Sequence, residues 1–198
     1  MKIRRRKQKK ELAGAIKLAR GLLRDGKYRE TYQFLQEAIE QFPADPELRL
    51  LYATILLEFR PDDVAAHASK AVSLAPHDPQ ILVRAAHLMF NRGEVEDARS
   101  CAVRVSELAH ADFVFMSDLV NLTGLLAAFD EEHDLAEEEL RSALEDEPTN
   151  GSFAVDLVRF LAAQDRSTEA IEIIDHALAC AKNTETLKRV RREIAPGA

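Results

Sequence analysis

Several residue types able to carry chemistry are present, and their spacing argues against each in turn. His67, His77 and His87 recur at intervals of ten. At about 3.6 residues per turn that interval does not return to one helix face, and a metal set needs ligands converging on one point, so surface or groove histidines are expected. Cys101 and Cys180 have no metal-ligand spacing and cannot staple a chain of 198 residues. Both fall at apolar-rich positions and read as buried small hydrophobes in a reducing compartment. The acidic run Asp130-Glu131-Glu132-His133-Asp134, followed by Glu137, Glu138 and Glu139, lacks the alternating oxygen ligands and the glycine of a calcium loop. A solvated turn leading into a carboxylate-rich helix start accounts for it; an acidic docking patch is the other reading. The sequence holds no phosphate-cradling glycine loop, nucleophile elbow or zinc-protease helix motif. No catalytic residue, metal ion, cofactor or small-molecule substrate is therefore expected, and the chain reads as a non-enzyme.

Charge is distributed unevenly. Lys2, Arg4, Arg5, Arg6, Lys7, Lys9 and Lys10 put seven cations and no carboxylate into the first ten residues; with a net charge of −7 for the whole chain, the remainder stands at −14. Such an arm can bind nucleic-acid phosphates or an anionic membrane surface. It holds no aromatic ring for base stacking, so sequence-specific recognition is not indicated. The plainer readings are a disordered solubilising arm, a segment docked on the protein's own acidic body, or an extension of the first helix. No apolar stretch of signal-peptide type follows the arm, and no apolar run approaches the ~20 residues of a membrane span. The cytoplasm is the expected location.

The elements that position these residues are helical. Hydrophobic residues make up 46% of the chain, aromatics only 6%, and glycine and proline number seven each, a balance that favours helix. Apolar residues recur at helical spacing twice in each of five blocks, 12–45, 46–78, 79–112, 117–150 and 151–184. In the first block Leu12, Ala15, Ile16, Ala19, Leu22 and Leu23 mark one helix, and Tyr32, Leu35, Ala38 and Ile39 the next. Gly26 and Gly93 supply turns, and Asp62, Asp63, Glu94 and Ser167 stand where second helices begin. Pro43-Ala44-Asp45-Pro46 and Pro76-His77-Asp78-Pro79 end one helix and start another. Four residues, Phe113-Val114-Phe115-Met116, are inserted before the fourth block, as an extra turn of its first helix or as an apolar lip or self-association patch. In residues 185–195, Leu187, Val190 and Ile194 share one face and Lys188, Arg189, Arg191, Arg192 and Glu193 the other, which suits a capping helix; an anion-binding end is the alternative.

This pattern resembles tetratricopeptide (TPR) repeats, whose helix pairs carry small residues at three crossing positions and a closing proline. Ala19, Ala53, Ala86 and Gly124 match in first helices, with Val158 a departure. Ala98, Ala136 and Ala170 open second helices, with Thr31 and Val64 departing. Ala38, Ala71, Ala143 and Ala177 match near their ends, with Val105 departing, and Pro43, Pro76 and Pro148 close blocks, where His110 and Lys182 do not. The large aromatic early in the first helix is missing from every block.

The resemblance implies an all-α, right-handed superhelical solenoid of five helix pairs with a C-terminal cap. It implies a protein-interaction adaptor whose first helices line a concave groove for a partner peptide or amphipathic helix. The positions that would face the groove are Ile16, Arg20, Leu23 and Arg24, then Leu50, Thr54, Leu57 and Glu58, then Val83, His87, Phe90 and Asn91. Asn121, Leu125, Phe129, Val155 and Arg159 continue it. Leu57, Phe90, Leu125 and Phe129 would be the anchors and the polar residues would orient the partner, although several of these side chains could instead pack between repeats. Arrays that clamp a C-terminal carboxylate use a basic and asparagine set that here retains only Arg20 and Arg84, so that activity is not expected. The second functional class is the basic arm binding nucleic acid or membrane, with the repeats mediating assembly.

Overall fold

The computed structural model describes residues 2–108, 114–180 and 184–195, with side chains from Arg6 onward. Eleven α-helices and no strand occur among the described residues: α1 (Lys2–Arg24), α2 (Tyr28–Gln41), α3 (Pro46–Phe59), α4 (Val64–Leu74), α5 (Pro79–Phe90), α6 (Val95–Leu108), α7 (Met116–Phe129), α8 (His133–Asp146), α9 (Gly151–Ala163), α10 (Ser167–Cys180) and α11 (Glu185–Ile194). A short 3-10 turn, Pro61–Asp63, precedes α4.

Local chemistry sets the boundaries. The Asp45 carboxylate accepts from the Leu48 N–H at 2.9 Å, and Asp78 accepts from Gln80 and Ile81 at 3.0 and 3.3 Å, each just ahead of a proline in the first helical position. These side chains satisfy donors that the first turn leaves without partners. Asn150 does the same for Ser152 at the start of α9. Four turns between paired helices need a left-handed residue. Gly26 and Gly93 fill two of them, whereas Glu131 (φ 63°) and Asp165 (φ 59°) fill the others with a side chain attached, at a steric cost glycine avoids.

Helices α1–α6 form one compact unit and α7–α11 a second. In the first, each helix packs on the next through short turns. The odd-numbered helices also approach one another, α1 on α3 and α3 on α5, whereas no such approach is made between α2 and α4 or α4 and α6. Small side chains mark the crossings: Ala19, Ala53, Ala68, Ala71, Ala86 and Ala98 have no exposed surface. Thr31 and Val64, which depart from the small-residue pattern, are buried too. The Thr31 hydroxyl is satisfied by donating to the Lys27 carbonyl at 2.8 Å.

The second unit repeats this logic, with α7 touching α9 and α9 touching α11. Helix α7 crosses α8 closely at Gly124. A Cβ there would lie 2.9 Å from Leu140 Cγ and 3.1 Å from the Leu140 backbone nitrogen. Helix α11 closes the unit by burying Leu187 and Val190.

The inserted segment does not lengthen α7. Phe113, like His110 and Lys182, lies outside the described residues. Val114 and Phe115 form a turn, Val114 with 78% of its surface exposed, and Met116 opens a helix of 14 residues, the same length as α8. Phe115 takes a non-helical backbone (φ −106°, ψ 32°) that prevents an extra turn.

Candidate binding surfaces

In the first unit the surface of α1, α3 and α5 is organised by one carboxylate. Glu47, in the first turn of α3, accepts from Arg20 of α1 (2.9 Å) and from Arg84 of α5 (2.5 Å). Burial acts to raise the Glu47 carboxyl, but Arg84 and Arg20 together outweigh it and hold the group below its usual range. The two arginines that could have gripped a partner's carboxylate are therefore engaged with one from the chain itself. Glu47 was not among the residues singled out by the sequence, because its role needs three helices brought together.

The other groove candidates of this unit separate into two sets. Leu50 and Val83 are fully buried and belong to the core, a correction to their expected surface role. Leu23, Leu57, His87 and Phe90 are half-buried, Ile16 likewise, and Arg24, Thr54, Glu58 and Asn91 are exposed. The Thr54 hydroxyl turns back onto the Leu50 carbonyl at 2.9 Å. Arg24 lies 3.7 Å from Asp25.

In the second unit Phe129 ends α7 with 59% of its surface exposed, and Leu125 one turn earlier is half-buried. Arg159 is exposed, 4.0 Å from Glu193 of α11. Asn121 and Val155 are buried rather than groove-facing. The Asn121 amide makes no well-formed hydrogen bond, at either Nδ2 or Oδ1. It lies close enough to Asp156 of α9 to influence it: burial pushes the Asp156 carboxyl up to about 6, with Asn121 and Arg159 pulling the other way. Asp156 is a further residue missed from the sequence. Its signal was a lone acid inside the apolar run from Phe153 to Ala163.

The acidic run divides as well. Asp130, Glu131, Glu132, Asp134 and Glu138 are exposed, but Glu137 joins Arg141, Arg166 and Glu169 in a ring of ion pairs that ties α8 to the start of α10. Arg141 Nε and Arg166 Nη2 meet Glu137 Oε1 at 2.9 and 3.0 Å, Arg166 Nε meets Glu169 at 2.9 Å, and Arg141 also reaches Glu169. Between α8 and α10 the same unit opens a cleft of about 480 Å³, with Leu144, Leu157, Ile173 and Ala177 as its apolar lining and Arg141 and His176 at its polar edge.

Among the histidines, His67 is half-buried and edge-on to Tyr52, with ring centroids 4.8 Å apart, and burial lowers its pKa; His77 is exposed in a loop. Cys101 is buried, which raises its thiol pKa. Cys180 corrects the expectation of burial. It stands exposed at the end of α10, past the buried Ala177, with Sγ 3.9 Å from His176 Nε2. Among the described residues no group of three or more metal-ligating side chains converges, and no helix is long and apolar enough to cross a membrane.

Sequentially packed helix pairs with small residues at their crossings define an α-helical repeat protein. The sequence model for the tetratricopeptide repeat matches residues 22–60 and 130–194, more than half of the chain, and the protein belongs to that family. No curated protein sequence matches it. Among solved structures it is similar to TTC0263, a thermophilic TPR protein of Thermus thermophilus, with 20% identity over 92% of this chain and 98% of that one and a TM-score of 0.70. PilF of Pseudomonas aeruginosa aligns with 18% identity over 95% and 88% of the two chains at a TM-score of 0.63. PilW, described as a type IV pilus biogenesis factor, aligns with 14% identity over 93% and 88% at a TM-score of 0.66.

Proposed function

We propose that this protein is a non-enzymatic interaction scaffold that holds a segment of a partner protein on the faces of its first helices. In the first unit Leu57 and Phe90 would be the apolar anchors, with Arg24, His87 and Asn91 around them. In the second, Leu125 and Phe129 play that part, with Arg159 nearby. The observation that carries this reading is Phe129: a phenylalanine with 59% of its surface in water is retained at the end of an otherwise well-buried helix, and aromatic anchors of this kind dominate protein-binding sites. Membership of a repeat family supports it. The cytoplasm is the proposed compartment, in keeping with two free thiols.

A photo-crosslinking amino acid placed at Asn91 or Phe129, both exposed on first-helix ends, tests the assignment against the same probe at Val103 of α6 and Leu135 of α8, which are exposed on second helices. Defined protein adducts in living cells are expected from positions 91 and 129, and Leu125→Glu should remove those from position 129. Equal yields from Val103 and Leu135 would overturn the proposal.

A further inference from the structure

We infer that α1 is a second binding site, for the phosphate backbone of a nucleic-acid duplex, independent of the protein-binding reading above. The first observation is a mismatch of lengths. Helix α1 has 23 residues and α2 has 14, so at 1.5 Å per residue they span about 34 and 21 Å. They are joined by a short turn at Gly26, so the overhang falls at the start of α1, and every residue from Arg6 to Glu11 is exposed. The second observation is charge: residues 2–24 contain ten cations and a single carboxylate, Glu11, which lies 3.8 Å from Lys7.

These cations are ordered along the helix. At about 100° per residue, Arg6, Lys9, Lys10, Lys17, Arg20 and Arg24 occupy one sector roughly 100° wide and about 27 Å long. Ala13 stands inside that sector and Gly21 just beyond its edge. Ala13 and Gly21, with Ile16, Lys17, Arg20 and Arg24, line an open cleft of about 480 Å³. Nothing lies within 4 Å of where a Cβ would project at Gly14 or Gly21. A sugar-phosphate chain can thus come close to the helix axis with cations on either side of it.

The ligand class follows from how charge surrounds the overhang. Lys2, Arg4, Arg5, Arg6, Lys7, Lys9 and Lys10 occupy register positions all round the helix, with Ile3 the one large apolar residue among them. A helix lying on a bilayer needs an apolar face to bury, and a flat acidic protein surface would use only one side. The major groove of a duplex admits a helix and presents phosphates along both walls. With no aromatic ring in α1, stacking on single strands is excluded and the binding is sequence-independent. The −14 of residues 11–198 repels a polyanion and confines contact to α1. Cations in the first turn also oppose the helix dipole and repel one another, and neutralisation by phosphates relieves both effects.

The test is fluorescence anisotropy of a labelled 20-base-pair duplex of mixed sequence titrated with the full chain. With Arg20 held by Glu47 and about five phosphates neutralised by the other cations, affinity is expected to fall on the order of 500-fold between 50 and 200 mM salt. It should not change when the duplex sequence is replaced. The triple variant Lys9→Glu, Lys10→Glu, Lys17→Glu alters only exposed side chains; it should abolish binding while circular dichroism stays native, and Phe129→Glu should leave binding intact. The inference is overturned if the duplex binds with no salt dependence, if the triple variant binds as well as the parent, or if phosphatidylserine vesicles or polyglutamate bind as tightly at equal salt.

Discussion

Replacing Gly124 with alanine isolates the cost of a close helix crossing, that of α7 on α8. Inside a helix, Gly→Ala is ordinarily stabilising by about 1 kcal/mol, because alanine restricts the unfolded chain. At Gly124 the added methyl would stand 2.9 Å from Leu140 Cγ and 3.1 Å from Leu140 N. The first contact is with a side chain that has no exposed surface, and the second is with backbone that cannot rotate away. Overpacking of this kind costs about 1–3 kcal/mol, which cancels or reverses the propensity gain. Gly21, inside α1 with nothing within 4 Å of the new Cβ, supplies the reference. The propensity term is common to both substitutions, so Gly21→Ala should exceed Gly124→Ala by about 1–3 kcal/mol, whatever its own size. Denaturant unfolding, with amide exchange used to report α1–α6 and α7–α11 separately, measures both. If Gly124→Ala stabilises its unit as much as Gly21→Ala stabilises the other, α7 and α8 do not approach as closely as the structure has them.

Two further expectations rest on single residues. The Asp156 carboxyl titrates near 6 when folded and near 3.8 when unfolded, so between those values the native state binds more protons than the unfolded chain and stability falls as pH rises. At 1.36 kcal/mol per pH unit, the penalty above pH 6 is about 3 kcal/mol; Asp156→Asn should therefore raise the unfolding midpoint at pH 8 and leave it nearly unchanged at pH 3.5, and an equal effect at both would refute the assignment. Asp165, held at φ 59°, should accept glycine with a gain of about 1 kcal/mol in thermal or denaturant stability, whereas a loss would mean that its side chain holds the turn.

Much of the local structure is legible in the chain itself. Helix phases follow from the 3.6-residue recurrence of apolar positions, and the boundaries at Asp45-Pro46 and Asp78-Pro79 follow from capping, because both depend on residues within one turn of each other. The small residues Ala19, Ala53, Ala86 and Ala98 could be picked out for the same reason: a close helix crossing needs them wherever it falls. What stays hidden is anything set by a second or third helix. Which of Leu50, Leu57, Val83 and Phe90 reaches the surface depends on how neighbouring helices are rotated, and all four have the same hydrophobic character in the sequence. Cys180 resembles Cys101 in its apolar setting, yet one stands exposed at a helix end and the other is buried within α6.

The charges show the same division most clearly. From the sequence alone, Arg20 and Arg84 are free cations and the first ten residues are an arm of undecided structure. In the structure Glu47 occupies both arginines, and the arm is the beginning of a helix that outruns its partner by about 13 Å. Amino-acid type determined that this would be a helical repeat with one strongly basic end. Only the tertiary structure decided which charges are spent within the fold and which stand in solvent, because an ion pair between helices exists only once packing has brought distant parts of the chain within a few ångströms.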